Sequence, residues 1–365
     1  MIKTVYIIST LARKGPVIML YNIIKNLNRA DFAPVIITLS PEGGDSMLQA
    51  FKDIDVEVKS LNMGRAAGFI NGGFALKRMV ESIKPGIVHS HCFRSNLLSA
   101  AFLGKYKRVA TAHCDFKSDF TMAWGRARGL LATQFMLLAL KRIKNNICVS
   151  KPLCDILSAR YKNLKFSYVD NGVDTDKFSP AADKRLLRQK LSLPLDKKIF
   201  IWAGVFIDLK SPLTLAQAVK QNKDDNLYFV FCGDGPLLGK CKEILADKNN
   251  VMFSGHTNNI NDFFKAADFY IATSRSEGFH LTVAEAMSCG LPVILSDIPA
   301  HKYFLEGSEA GLLFKALDGQ DLSAKINEIQ KYDYPKLSDN AVKSVKSRFS
   351  AEIMSKNYQK KYKEF

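Results

Sequence analysis

Short apolar runs of strand length alternate along this chain with longer segments of helical period, and the alternation restarts midway. A parallel sheet covered by helices needs that pattern: its strands are buried on both faces, and each reaches the next through a helix-length crossover. In the first half the strand-like runs are Thr4–Ile8, Pro34–Leu39, Gly86–His89, Arg108–Thr111, Asn146–Val149 and Ser167–Val169. In the second they are Lys198–Trp202, Leu227–Cys232, Val251–Ser254, Phe269–Thr273, Pro292–Ser296 and Gly311–Phe314, with helices expected near 211–222, 236–247, 259–266 and 281–289. The stretch from Asn171-Gly172-Val173-Asp174 to Phe178-Ser179-Pro180 is rich in turn residues, which places a linker at about 172–182. The expected fold class is therefore α/β, with two doubly wound parallel-sheet domains. A length of 365 residues at 47% hydrophobic and 24% charged suits two such domains and excludes a disordered or fibrous chain.

The strongest apolar stretch, Leu130 to Leu140, is interrupted by Thr133 and Gln134 and bounded by Arg128 and Lys141. It falls short of the roughly 20 residues a membrane-spanning helix needs. The first nine residues carry one charge and a strand-length run without a small-residue cleavage site, so no secretory signal is expected and the cytosol is the expected compartment. Seven cysteines without a CxxC pair suit buried, reduced thiols there. Of the net charge of +17, residues 1–178 carry +13, with 26 Lys and Arg against 13 Asp and Glu. That asymmetry points to an anionic partner for the first domain: a phosphorylated substrate or a phospholipid surface. Nucleic acid is disfavoured, because the basic residues come in short groups and no zinc finger, basic zipper or RNP-type aromatic motif accompanies them.

In open parallel sheets ligands bind beyond the carboxyl ends of the strands, so the loops there deserve the closest reading. After the first strand comes Ser9-Thr10-Leu11-Ala12-Arg13-Lys14-Gly15-Pro16, a loop with one glycine, Gly15, and two cations, Arg13 and Lys14, before a helix. It lacks the three glycines of a dinucleotide fingerprint, which removes the main support for a nicotinamide or flavin site. The most informative loop runs from Ser274 through Glu277, Gly278, Phe279 and His280 into a short helix from about Leu281 to Cys289, with Gly290 as its stop and Pro292 beyond. Free amides at that helix start, beside the Thr282 hydroxyl, suit a phosphate, and Gly278 lets backbone approach a ligand. Glu285 lies too far along the helix to be stabilised by its dipole, so another task, such as accepting bonds from sugar hydroxyls, is expected of it. The plain alternative is a capped helix with two solvated carboxylates.

This segment resembles the Glu-x7-Glu motif of family 4 of the retaining glycosyltransferases, which have the GT-B fold of two Rossmann-like domains facing a cleft. Further stretches agree in order: Cys148-Val149-Ser150, Asn171-Gly172-Val173-Asp174 to Phe178, Gly233-Asp234-Gly235-Pro236, Val251-Met252-Phe253-Ser254-Gly255, Gly290-Leu291-Pro292-Val293 and Gly311-Leu312-Leu313-Phe314. The resemblance implies an acceptor-binding domain at 1–175, a nucleotide-sugar-binding domain at 176–340 and a C-terminal helix, 341–365, packing back on the first. Asn340–Phe365, with Phe349, Tyr358 and Tyr362, is the candidate for that crossing.

By the same resemblance Glu277 would bond the donor sugar and Glu285 the ribose, with Phe279, His280, Leu281 and Thr282 around sugar and phosphates and His256 near the base. Lys210, in the loop after Gly204, would neutralise the diphosphate, and His113 would contact the donor sugar from the first domain. The family's arginine after the glycine is here Val205, so Arg13, Lys14 or Arg275 would have to supply a second cation. The pair His89 and His91 invites a metal reading, which is rejected because no third ligand has recognisable spacing and HExxH is absent. No metal or cofactor is expected beyond the nucleotide-sugar co-substrate.

The expected reaction moves a sugar from a nucleoside diphosphate, UDP by family frequency, to an acceptor hydroxyl with retention of configuration. The expected acceptor is a glycan or polyprenyl-diphosphate-linked chain in O-antigen, capsule or lipopolysaccharide synthesis, with Phe116 to Lys144 resting on an anionic membrane. Two alternatives stay open: a nucleotide-sugar epimerase of the same fold, and a non-catalytic sugar-nucleotide- or lipid-binding protein.

Overall fold

The computed structural model describes residues 1–64 and 71–364. The chain divides into two compact units, Met1–Gly172 together with Ala351–Phe365, and Val173–Ser350.

The first unit holds a seven-stranded parallel sheet of β1 (Ile2–Ile8), β2 (Phe32–Thr38), β3 (Glu57–Ser60), β4 (Ile87–His91), β5 (Lys107–Ala112), β6 (Asn145–Cys148) and β7 (Phe166–Tyr168). Its order is β3-β2-β1-β4-β5-β6-β7, so the direction of winding reverses between β1 and β4. Side chains alternate along β1 as a pleated strand demands. Val5 and Ile7 pack with Val35, Ile37 and Val88 against Leu76 and Val80 of helix Gly72–Ile83. Tyr6 points to the other face, where its ring lies 6.5 Å from that of Tyr362 on helix Ala351–Glu364.

The second unit repeats the scheme with six parallel strands: β8 (Lys198–Ala203), β9 (Leu227–Cys232), β10 (Val251–Gly255), β11 (Phe269–Ala272), β12 (Val293–Ser296) and β13 (Gly311–Phe314). The order β10-β9-β8-β11-β12-β13 reverses between β8 and β11. One face of this sheet is largely aromatic, with Phe200, Trp202, Phe229, Phe231 and Phe269 in a single buried cluster.

Three details differ from the reading of the sequence. β3 was not expected; it is a short edge strand, Glu57-Val58-Lys59-Ser60, that pairs only with β2 and so carries charge where an inner strand would be apolar. The chain returns to the first unit at Ala351 rather than at 341, because helix Tyr334–Arg348 packs on helix Leu281–Ser288 of the second. Phe349 likewise stays behind, its ring 5.5 Å from Phe279 and 5.1 Å from Phe304, while Tyr358 and Tyr362 belong to the first unit. The segment from Phe116 to Lys144 is two helices, Phe116–Trp124 and Arg126–Ile143, parted at Gly125, whose φ of +80° suits glycine. Among the described residues no helix is long and apolar enough to cross a membrane.

Candidate active site

The reversal point of the second sheet sets two loops side by side at the carboxyl ends of β8 and β11. The β8 loop runs from Gly204 to Lys210 and is braced from below. Gly204 N–H donates to Cys232 O at 3.0 Å, Phe206 N–H to Asp234 O at 2.9 Å, and Leu237 N–H to Phe206 O at 2.9 Å. Gly233 permits this approach, since a Cβ there would stand 1.9 Å from Gly204 O. The β11 loop is tied to the first: Thr273 Oγ1 donates to Lys210 O at 2.7 Å and accepts from Trp202 Nε1 at 3.1 Å, and Arg275 N–H donates to Leu209 O at 2.8 Å.

These ties bring Lys210 and Glu277 together, although 67 residues separate them in sequence: Lys210 Nζ and Glu277 Oε1 form an ion pair at 2.5 Å, largely withdrawn from solvent. Gly278, Phe279 and His280 are buried behind the pair, and the helix Leu281–Ser288 begins at once. Among the described residues no side chain caps that helix, and its first turn holds no acidic residue, so the amides at its start have no side-chain acceptor there. Leu281 and Thr282 are half-buried on that turn. Glu285 is buried one turn further on, and burial raises its carboxyl to about 7 against a smaller lowering by Lys177. A carboxyl so placed can both donate and accept near neutrality.

His280 Nδ1 lies 2.8 Å from His301 Nε2 and 3.6 Å from Glu277 Oε1. His301 Nδ1 meets Ser296 Oγ at 2.9 Å. Burial holds both imidazoles well below their ordinary value, His301 at about 3. His301 and Ser296 were not singled out in the sequence. The signal that could have found them is positional, since Ser296 ends β12, the strand next to β11. His256 is not drawn into this group; it is exposed at the end of β10, the edge strand, with β9 and β8 between it and β11. Val205 is 52% exposed in the β8 loop.

The first unit assembles its expected residues at its own reversal point. Arg13 and Lys14 are exposed in the loop after β1, and Gly15 opens helix Gly15–Lys25. Glu42 straps that loop down by accepting from Leu11 N–H at 2.9 Å. His113 follows β5, with its Nε2 3.3 Å from His91 Nδ1, and burial lowers it to about 4. A third imidazole therefore does stand beside His89 and His91, contrary to the spacing argument. Both ring nitrogens of His89 are taken, Nδ1 by Tyr362 OH and Nε2 by Thr111 Oγ1, each at 2.7 Å, so this histidine offers an ion no free nitrogen. Among the described residues no group of His, Cys, Asp and Glu is arranged to hold a metal ion. All seven cysteines are free.

Residues 13–177 match the family described as Glycosyltransferase Family 4, and residues 183–348 that described as Glycosyl transferases group 1. An Escherichia coli UDP-Gal:alpha-D-GlcNAc-diphosphoundecaprenol alpha-1,3-galactosyltransferase is 29% identical over 289 residues, covering 75% of this chain and 72% of its own. A putative teichuronic acid biosynthesis glycosyltransferase of Bacillus subtilis, TuaC, is 25% identical over 284 residues, covering 76% of this chain and 70% of its own. In fold the chain is similar to Anabaena HepE, solved with UDP and glucose, at a TM-score of 0.84 and 16% identity over all of both chains.

Proposed function

Because the chain belongs to the glycosyltransferases, with a family 4 domain followed by a group 1 domain, we propose that it transfers a hexose or N-acetylhexosamine from a UDP-sugar, with retention, to a hydroxyl of a lipid-linked or polysaccharide acceptor in bacterial surface-glycan synthesis. The observation that carries this reading is the Lys210–Glu277 pair at the mouth of the second sheet, beside the amide end of helix Leu281–Ser288. A nucleoside diphosphate sugar offers what that arrangement lacks: an anion for the lysine and the helix amides, and hydroxyl donors for the glutamate. Glu285, buried and poised near 7, suits a ribose.

In the reaction the bond from the anomeric carbon to the diphosphate breaks, the acceptor oxygen bonds that carbon on the same face, and its proton passes to the departing phosphate oxygen. Lys210 and the helix amides stabilise the charge that develops there, a task a divalent ion would otherwise perform. The relatives named for a diphosphoundecaprenol acceptor and for teichuronic acid synthesis support the surface-glycan assignment.

The first unit supports contact with a membrane. On helix Arg126–Ile143 the exposed Leu131, Phe135 and Leu138 form one stripe at helical spacing, bounded by the exposed Arg128 and Arg142. An anionic bilayer matches that apolar stripe with basic ends. Liposome flotation checks it: retention on anionic vesicles is expected, and equal behaviour on neutral ones overturns it. The transferase reading is checked by nucleotide release from UDP-, GDP- and ADP-sugars with bacterial membranes as acceptor source. Acceptor-dependent release is expected. Donor consumption without acceptor identifies an epimerase, and binding without turnover a non-catalytic protein.

A further inference from the structure

We propose that His301, held by Ser296, is a positioning residue that fixes His280 as a neutral imidazole whose Nε2 accepts a hydrogen bond from a hydroxyl or amide N–H of the transferred sugar. The proposal rests on the nucleotide-sugar reading above.

Counting protons along the chain of contacts leaves one arrangement. The Ser296 hydroxyl donates to Ser274 O at 2.6 Å, so its proton is committed. His301 Nδ1 then faces two acceptors, Ser296 Oγ at 2.9 Å and Ser296 O at 3.1 Å, and must itself carry a proton. In a neutral ring that leaves His301 Nε2 bare. His280 Nδ1, 2.8 Å away, is too close for a contact without a proton and therefore donates to it. His280 Nε2 is left with a lone pair, buried and, among the described residues, without a partner.

A buried acceptor left unpaired opposes folding, and a leucine would fill the space without that cost. The position explains the residue. His280 is the residue before helix Leu281–Ser288, its Nδ1 3.6 Å from Glu277 Oε1 and thus beside the ion pair. A lone pair cannot bond a phosphate oxygen, so His280 divides the labour with Lys210: the lysine takes the diphosphate, while His280 and Glu277 take donors on the sugar. Because Nε2 is buried without ligand, the sugar reaches it only when the groups covering it move aside.

The test measures binding to the full chain of UDP-glucose, UDP-galactose, UDP-N-acetylglucosamine, GDP-mannose and ADP-glucose, each against its own nucleoside diphosphate. His301→Phe and His280→Leu should weaken the accepted nucleotide-sugar by about tenfold and the sugar-free nucleotide by less than about twofold. His301→Gln, whose amide oxygen can replace the lost acceptor, should recover most of the difference. Nitrogen-15 NMR of histidine-labelled wild-type chain should show His280 protonated on Nδ1, which stands whether or not the phenylalanine variant folds. Equal losses for sugar and sugar-free ligands, or a proton on His280 Nε2, overturn the proposal and leave the transferase reading intact. A wild-type chain that binds none of these nucleotide-sugars overturns the transferase reading, and this one with it.

Discussion

The two units wind their sheets in the same order around the same reversal point, yet fill that point with opposite chemistry. In the first, the polar groups on one face of β4 and β5 are sealed beneath a returning helix: His89 bonds Tyr362 and Thr111, and Thr111 Oγ1 lies 3.4 Å from Tyr358 OH. In the second, the loops after β8 and β11 carry a lysine and a glutamate that pair with each other, with His280 Nδ1 3.6 Å from the glutamate, beside an uncapped helix end. Topology alone therefore does not make a site. The first unit uses His89, Tyr358 and Tyr362 to hold its own chain, and on the proposed reading the second keeps its charges exchangeable for those of a ligand.

Tyr362→Ala attacks the sealed side and carries the largest expected effect, because its ring is fully buried against Tyr6, Phe32 and His89. A loss of about 3–5 kcal/mol is expected. Hydrogen exchange should show that loss in the first unit while the second keeps its protection; an equal loss in both would erase the contrast. Lys210→Ala and Glu277→Ala attack the exchangeable side. They should lower turnover by about 10²–10³-fold at nearly unchanged melting temperature, and a large drop in melting temperature would make the pair structural.

Acid separates the units by steepness. His89 at about 3, His113 at about 4 and His91 well below its usual value are all held under the 6.5 of an unfolded imidazole. The stability they contribute is present above about 6.5 and lost as pH falls toward 4 and 3. His280 and His301 act with the same sign in the second unit, but Glu285 opposes them. Its carboxyl is raised from 4.5 to about 7, so its contribution is present below 4.5 and lost as pH rises through 7. Native-state exchange between about pH 7 and about pH 4.5 should therefore show the first unit weakening more steeply, and Glu285→Gln should steepen the second. Parallel decline in both units sinks the argument. The smallest effect is expected of Val205→Arg, which adds a cation at an exposed loop position: donor binding should tighten by roughly threefold and weaken again with salt.

Much of this contrast was legible beforehand, for physical reasons that also mark its edge. Strands of a helix-covered parallel sheet bury apolar side chains, so twelve of the thirteen described strands read directly from the sequence, whereas the short edge strand β3 keeps the charged Glu57 and Lys59. Helix Leu281–Ser288 was legible because it ends at Gly290 with φ +82°. The pairing of Lys210 with Glu277 was not, since nothing in a linear spacing of 67 says that β8 and β11 are neighbours. His301 and Ser296 were missed because single polar residues in an apolar stretch look like ordinary core until the ends of β11 and β12 are set side by side.

The second unit is in effect an insertion: the chain leaves the first after Gly172 and rejoins it at Ala351, the two passages joined where Val173 N–H donates to Phe349 O at 2.9 Å. During synthesis the seven strands of the first sheet thus emerge from the ribosome long before the helix that covers His89. At about 5–20 residues per second the nascent sheet waits roughly 10–40 s, its tyrosine partners not yet made. The second unit, continuous in sequence, has no such wait and can fold first. Until helix Ala351–Glu364 is made, the face of the first sheet that carries Tyr6 and His89 lacks its cover.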